Sequence, residues 1–258
     1  MEIQWLGTAG FRIQTRDTAF LIDPYLSRNA DALPGQPLAP PDLGPASFIF
    51  VSHGHFDHIM DLPVIAPASG AIVVCSPTAA RTLEDMGLDP GRVRVVDRDG
   101  FETEFSGIRA RAAYSRHIRF DLKLMVSTLF RIGRRLSGIL PLFTHFPCGQ
   151  VLSWDFRAEG RRILFFGSGG STPRELNRLK TDPVDVLLLP LQGHSDICAK
   201  ALEYVKILDP DLVIPHHQDD FYPPVSRTVD IGPFIESVRR VCPRTRVRTM
   251  AVNEILSF

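Results

Sequence analysis

Phe48-Ile49-Phe50-Val51 runs directly into Ser52-His53-Gly54-His55-Phe56-Asp57-His58. The first four residues are β-formers with no polar alternation, the pattern of a strand buried on both faces. That strand delivers the chain into three histidines and an aspartate at its C-terminal end, where sites in α/β proteins gather. Neutral imidazoles and a carboxylate are the donors preferred by zinc and related divalent ions. His53 and His55, two apart on a tight turn, can address one ion. Asp57 and His58 then address a neighbouring position, about 3.5–4 Å away in two-metal centres. Gly54 lets the backbone turn without a side-chain clash.

Upstream, Ile3–Leu6, Phe11–Thr15 and Ala19–Ile22 read as short strands separated by the turns Gly7-Thr8-Ala9-Gly10 and Arg16-Asp17. Asp31–Pro45, rich in Pro, Gly and Ala, reads as a loop. Downstream, Ile59–Ala66 and Pro77–Met86 look helical, and Ala71–Cys75, Val93–Val96 and Gly107–Tyr114 look extended. Val151–Phe156 and Arg162–Phe166 form a hairpin pattern around Glu159-Gly160. Strand Val184–Leu189, helix Ile197–Leu208, strand Leu212–Ile214, helix Pro233–Val241 and strand Arg246–Val252 complete the chain. Strands with helices at intervals predict stacked sheets flanked by helices, in one domain over residues 1–258.

Lys plus Arg equals Asp plus Glu, 29 of each, so no overall field gathers nucleic acid, and a nuclease is disfavoured. No basic region followed by an apolar run stands at the start, and no stretch is apolar enough to span a bilayer. Cys75, Cys148, Cys198 and Cys242 form no CxxC pair. They read as reduced thiols with packing roles in a cytoplasmic protein, since no spacing supports metal ligation.

His53-x-His55-x-Asp57-His58 resembles the HxHxDH signature of the metallo-β-lactamase superfamily. Other segments resemble the superfamily's motifs in the same order. Leu21-Ile22-Asp23-Pro24 is similar to an early strand-Asp motif whose carboxylate supports the metal ligands. Ser115-Arg116-His117 is similar to a third motif with one ligand histidine, and Pro215-His216-His217-Gln218 to a late one, with His217 the better match. The layout is similar to the ascorbate-6-phosphate lactonase and acyl-ethanolamine phospholipase D branches. The resemblance implies a four-layer αββα sandwich in the α/β class. It implies one or two divalent ions, zinc first and manganese or iron as alternatives. His53, His55 and His117 would hold the first, and Asp57, His58 and His217 the second.

Phe166-Gly167-Ser168 departs from the family pattern, because Ser168 stands where an aspartate bridging both ions is expected. Three readings follow: one ion, two ions joined by hydroxide alone, or a non-catalytic metal-binding scaffold or ligand sensor. The expected activity is hydrolysis of an ester, lactone or phosphodiester through a metal-bound hydroxide. Asp57 is expected also to orient the nucleophile and shuttle its proton.

His194, after an apolar strand, reads either as a catalytic or substrate-binding group stabilising an oxyanion or as a helix-entry residue beside an N-cap Ser195. His216 reads as packing or supporting the ligands. Asp219 and Asp220 read as orienting the late histidine or as a solvated pair.

Residues 118–149 look inserted. Leu122, Met125, Val126, Leu129, Ile132 and Leu136 recur near helical spacing, with Gly133 and Gly138 as breakers. Arg116, Arg119, Lys123, Arg131, Arg134 and Arg135 face one acid, Asp121. A basic amphipathic segment beside a site serves as a lid, a contact in a homo-oligomer or a weak membrane-surface patch. As a lid it would favour a small-molecule substrate with an apolar part and an anionic part.

Overall fold

Strands apolar on both faces need cover on both sides, and this chain supplies it with two sheets and helices outside each. The computed structural model describes residues 1–133, 141–142 and 144–258. The first sheet contains β1 (Glu2–Gly7), β2 (Gly10–Gln14), β3 (Ala19–Ile22), β4 (Phe48–Phe50), β5 (Ile72–Cys75), β6 (Val93–Val95) and β14 (Ile255–Ser257), in the order β14-β1-β2-β3-β4-β5-β6. The second contains β7 (Glu102–Phe105), β8 (Ile108–Ser115), β9 (Val151–Ala158), β10 (Arg161–Phe166), β11 (Val186–Pro190), β12 (Leu212–His216) and β13 (Arg246–Val247), in the order β13-β12-β11-β10-β9-β8-β7.

The period of two along each strand sorts side chains between layers. Phe20, Ile22 and Phe50 point between the sheets and meet Trp154, Phe156 and Phe165 in one central core. Leu21, Ile49 and Val51 point the other way, onto α1 (Phe56–Ile59), α2 (Leu62–Ser69) and α3 (Pro77–Asp85). On the far side, Leu164, Leu187 and Val213 pack against α5 (Pro173–Leu179), α6 (Ile197–Leu208) and α7 (Gly232–Val241). The result is the expected αββα sandwich. α4 (Leu122–Ile132) lies between β8 and β9, within the segment read as inserted.

The topology assembles the site. β3 and β4 are parallel, as are β10, β11 and β12, and β8 runs with β10 because both are antiparallel to β9. Asp23, Ser52, His117, Gly167, Gln192 and His217 therefore all follow C-terminal strand ends on one edge. Three bonds tie the sheets there: Leu152 N–H to the Ser52 carbonyl at 2.7 Å, Trp154 Nε1–H to Val51 at 3.1 Å, and His217 N–H to Thr8 at 2.8 Å.

Several sequence expectations change. The helix read from Ile59 begins at Phe56 and breaks after Ile59, then restarts behind Asp61, whose carboxylate accepts the backbone N–H groups of Leu26 and Ser27. Of the final strand read over Arg246–Val252 only Arg246–Val247 is extended, as β13, and β14 is a further strand, not read from the sequence, that joins the other sheet. β7 and α5 were not read from the sequence. α5 carries a readable signal, a Thr172–Glu175 capping box with Pro173 at its first position. Leu136 and Gly138, together with Arg134 and Arg135, lie outside the described residues.

Asp219 is not solvated. It forms a buried ion pair with Arg28 at 2.7 Å and accepts the Thr8 N–H at 3.0 Å, bracing the turn that holds His217. Removing one partner of a buried pair strands the other charge. Asp219→Ala should lower unfolding stability by about 3–5 kcal/mol in urea titrations. A change within about 0.5 kcal/mol, the range of ordinary surface substitutions, would show that the pair does not brace the edge.

Candidate metal centre

The loop after β4 is built around Asp23, which has no exposed surface. Its carboxylate accepts Ser52 N–H at 2.7 Å and Ser52 Oγ–H at 2.5 Å, and contacts His58 Nδ1 at 2.7 Å. The His58 proton then sits on Nδ1, which leaves Nε2 free to coordinate. Other histidines are oriented in the same manner. His117 Nδ1 donates to the Ile118 carbonyl at 2.7 Å, and His217 Nδ1 donates to Gln192 Oε1 at 2.8 Å. His53 Nδ1 lies 2.9 Å from Ser52 Oγ.

The oriented nitrogens converge. Donor atoms of His53, His55, His117 and Cys148 all lie within 4.8 Å of one another, and those of Asp57, His58 and His217 do the same. The groups adjoin, with the His53 and His58 rings 4.0 Å apart between centroids. Asp57 Oδ2 is 3.2 Å from His217 Nε2 and 3.6 Å from His58 Nε2. Every histidine expected at the centre is therefore brought together with Asp57.

Backbone conformation is spent on this convergence. Thr8, Asp23 and His217 have φ of 51°, 41° and 63°, a region costly for residues with a Cβ. Gly167 and Gly170 are required for close approach. A Cβ at Gly167 would meet Ser52 Oγ at 2.0 Å, and one at Gly170 would meet the His117 carbonyl at 2.3 Å. Gly54 has a similar role: its Cβ would meet the Pro147 carbonyl at 2.3 Å.

Ser168 is buried, and its Oγ accepts the Ile118 N–H at 2.9 Å, fixing the backbone beside His117. His194 belongs to neither donor group but borders the same cleft. Its Nδ1 accepts the Asp196 N–H at 2.9 Å, and the following helix is capped by Asp196, not Ser195. His216 is fully buried between the sheets, stacked on Phe165 at 5.3 Å and edge-on to Phe11. It packs in the core behind the site.

Two participants were missed in the sequence. Gln192 sits in the segment that carries His194, but only the strand register shows that it reaches His217. Cys148 was assigned to packing, yet it joins the three histidines. Ligand spacing within the sequence carries no sign of this, because the thiol arrives from a distant segment.

Burial lowers the pKa of His53 well below its ordinary value, aided by repulsion from His58 and His55. Burial takes His55 to about 4, against the opposing pull of Asp57, and also lowers His117. For His58 burial acts downward, but the Asp23 and Asp57 carboxylates outweigh it and the shift is upward. Burial opposes ionisation of Asp57, but His58 and His217 outweigh it and hold the carboxyl below the usual range. Neutral imidazoles beside an ionised carboxylate are the protonation states a divalent cation needs.

The centre forms the floor of a cleft of about 1300 Å³. Leu124, Met125, Leu129 and Ile132 of α4 form an apolar wall, and Arg131 and Arg227 also line it. Asp121 anchors the start of α4, accepting Ser195 N–H and Oγ–H, each at 2.8 Å. The outer side of α4 exposes Leu122 and Phe130. Among the described residues, no helix is long and apolar enough to cross a membrane.

Residues 2–217 match the family described as Beta-lactamase superfamily domain. A UPF0173 metal-dependent hydrolase of Symbiobacterium thermophilum is 30% identical, over 86% of this chain and 85% of its own. Another, from Carboxydothermus hydrogenoformans, is 28% identical over 93% and 92%. Among solved structures, the fold is similar to Igni18, a metallo hydrolase from Ignicoccus hospitalis, with a TM-score of 0.71 at 19% identity over 100% of this chain and 97% of that one. The chain belongs to the β-lactamase superfamily, in its UPF0173 group of metal-dependent hydrolases.

The pKa shifts set a pH dependence for the metal-free protein. His53, His55, His117 and His216 have folded values below their unfolded ones, so the unfolded chain takes up protons first as pH falls. Their contribution is complete above about pH 6.5 and is lost as pH falls toward the His55 value of about 4. His58 acts in the opposite sense, losing its contribution as pH rises through its raised value. Four groups against one predict a falling urea midpoint from pH 7.5 to pH 5 in chelator-treated protein. A flat profile would show that the imidazoles are not held neutral.

Proposed function

We propose that the protein hydrolyses an ester, lactone or phosphodiester bond in a small molecule that has an apolar part and an anionic part. Zinc is the favoured ion. His53, His55 and His117 hold one position, and Asp57, His58 and His217 hold the other. The observation that carries this reading is the pair of adjoining donor groups at the floor of a cleft with an apolar wall. The donors fit a divalent ion: His53, His55 and His117, whose pKa values burial lowers, meet nitrogen to nitrogen, as with His53 Nε2 and His55 Nδ1 at 3.1 Å.

When bound, such ions lower the pKa of water toward about 7 and polarise a carbonyl or phosphoryl oxygen. The chain's own groups do the rest. Asp57, ionised at the junction of the two donor groups, orients the attacking water and accepts its proton. His194 receives the Asp196 N–H on Nδ1, so Nε2–H is the donor it presents to developing negative charge. Arg131 and Arg227 supply cationic groups for the anionic part of the substrate. The α4 wall excludes water and receives the apolar part. A cytoplasmic location accords with four free thiols.

A panel of esters, lactones and phosphodiesters, each with short and long apolar chains, tests the reading. Turnover should vanish on chelation and return with zinc. Asp57→Asn should lower kcat by about 10²–10⁴-fold. Met125→Ser should raise KM for long-chain substrates by about tenfold, the scale of losing apolar contact in a pocket, and leave short ones unchanged. No turnover of any of the three classes by zinc-loaded protein would overturn the assignment. Equal effects of Met125→Ser on short and long chains would remove α4 from substrate binding.

A further inference from the structure

Cys148 does not belong to the segment that supplies the expected ligands, yet its Sγ lies within 4.8 Å of the donor nitrogens of His53, His55 and His117. Close packing places it there. The Cys148 carbonyl accepts Gly54 N–H at 2.9 Å, between the two histidines of the turn. Two glycines make the contact possible. A Cβ at Gly54 would strike the Pro147 carbonyl at 2.3 Å, and a Cβ at Gly149 would strike Thr78 at 2.5 Å. The Gln150 side chain bonds the Ser115 carbonyl at 3.2 Å, fastening the same segment to the strand that delivers His117. Among the described residues the thiol has no hydrogen-bond partner, whereas Cys198 Sγ lies 3.6 Å from the Asp230 carbonyl. Three imidazoles and a thiol with donor atoms within 4.8 Å of one another offer the nitrogen and sulfur donors that zinc binds as a tetrahedron. Ser168, by contrast, spends its hydroxyl on the Ile118 N–H.

We propose that Cys148 is the fourth ligand of the ion at His53, His55 and His117, closing that position as a His₃Cys centre and leaving Asp57, His58 and His217 as the open, reacting position. The inference rests on the metal-centre reading above and deepens it. A position with four protein donors keeps no vacancy, whereas one with three keeps a place for water or substrate. The thiol binds as thiolate, its proton going to solvent. Its negative charge offsets one of the two charges of the ion.

Cobalt(II) alone is the probe, because a cobalt–thiolate bond has a near-ultraviolet charge-transfer absorption that imidazole and carboxylate ligands lack. The full chain, stripped and reloaded with cobalt, should show this band. Cys148→Ser and Cys148→Ala should abolish it, and Cys242→Ser should retain it. In chelator competition the two Cys148 variants should lose at least about tenfold in affinity for the tighter ion. Bound cobalt with no such band, or a band that survives Cys148→Ala, would overturn the ligand assignment and leave the metal centre standing. No cobalt bound by the wild-type chain would overturn both.

Discussion

The loop after β4, which carries four of the expected ligands, hangs from one buried carboxylate. Asp23 leaves β3 in a strained left-handed conformation and has no access to water. A carboxylate there must find donors, and it finds three: the Ser52 N–H, the Ser52 hydroxyl and His58 Nδ1. Those bonds set the course of the loop after β4 and the tautomer of His58. Through Ser52 Oγ they also set the His53 ring. Gly167 is glycine because that network leaves no room for a Cβ. One side chain thus couples three strand ends across two sheets.

The same constraint explains which parts of the protein were legible in the sequence. Phe48–Val51 is apolar throughout because it is covered on both faces, and such a run is visible without alignment. Stacked sheets flanked by helices followed from runs of this kind separated by helical segments, and the four-layer αββα order was what the resemblance implied. His53, His55, Asp57 and His58 are close in sequence, so their convergence follows from local turn geometry. His117 and His217 were placed by resemblance, and the parallel strand directions bring them to the same edge.

What stayed hidden depends on contacts between distant segments. Cys148 reaches the histidines only because β9 runs beside the loop after β4, a pairing that sequence spacing does not encode. The Arg28–Asp219 ion pair is equally non-local, so the sequence left Asp219 open between orienting the late histidine and half of a solvated pair. β14, at the chain's last residues, was not read because its pairing partner is β1, at the opposite end of the sequence. Ser168 stands where the resemblance leads one to expect an aspartate, but only the fold shows its hydroxyl engaged with the backbone beside His117.

The cleft combines a polar floor with an apolar wall, and its parts have separate origins. The floor belongs to the sandwich and is held by strand ends. The wall belongs to α4, which leaves the fold just after His117 and is fastened by Asp121 to the loop carrying His194 and Ser195. We expect the two adjoining donor groups to hold divalent ions. Anomalous diffraction at the zinc edge, from crystals of zinc-loaded protein, tests it most directly. A peak among His53, His55, His117 and Cys148, with a second among Asp57, His58 and His217 at saturating zinc, is the expected result. Zinc found only at other positions, or none bound, would contradict it.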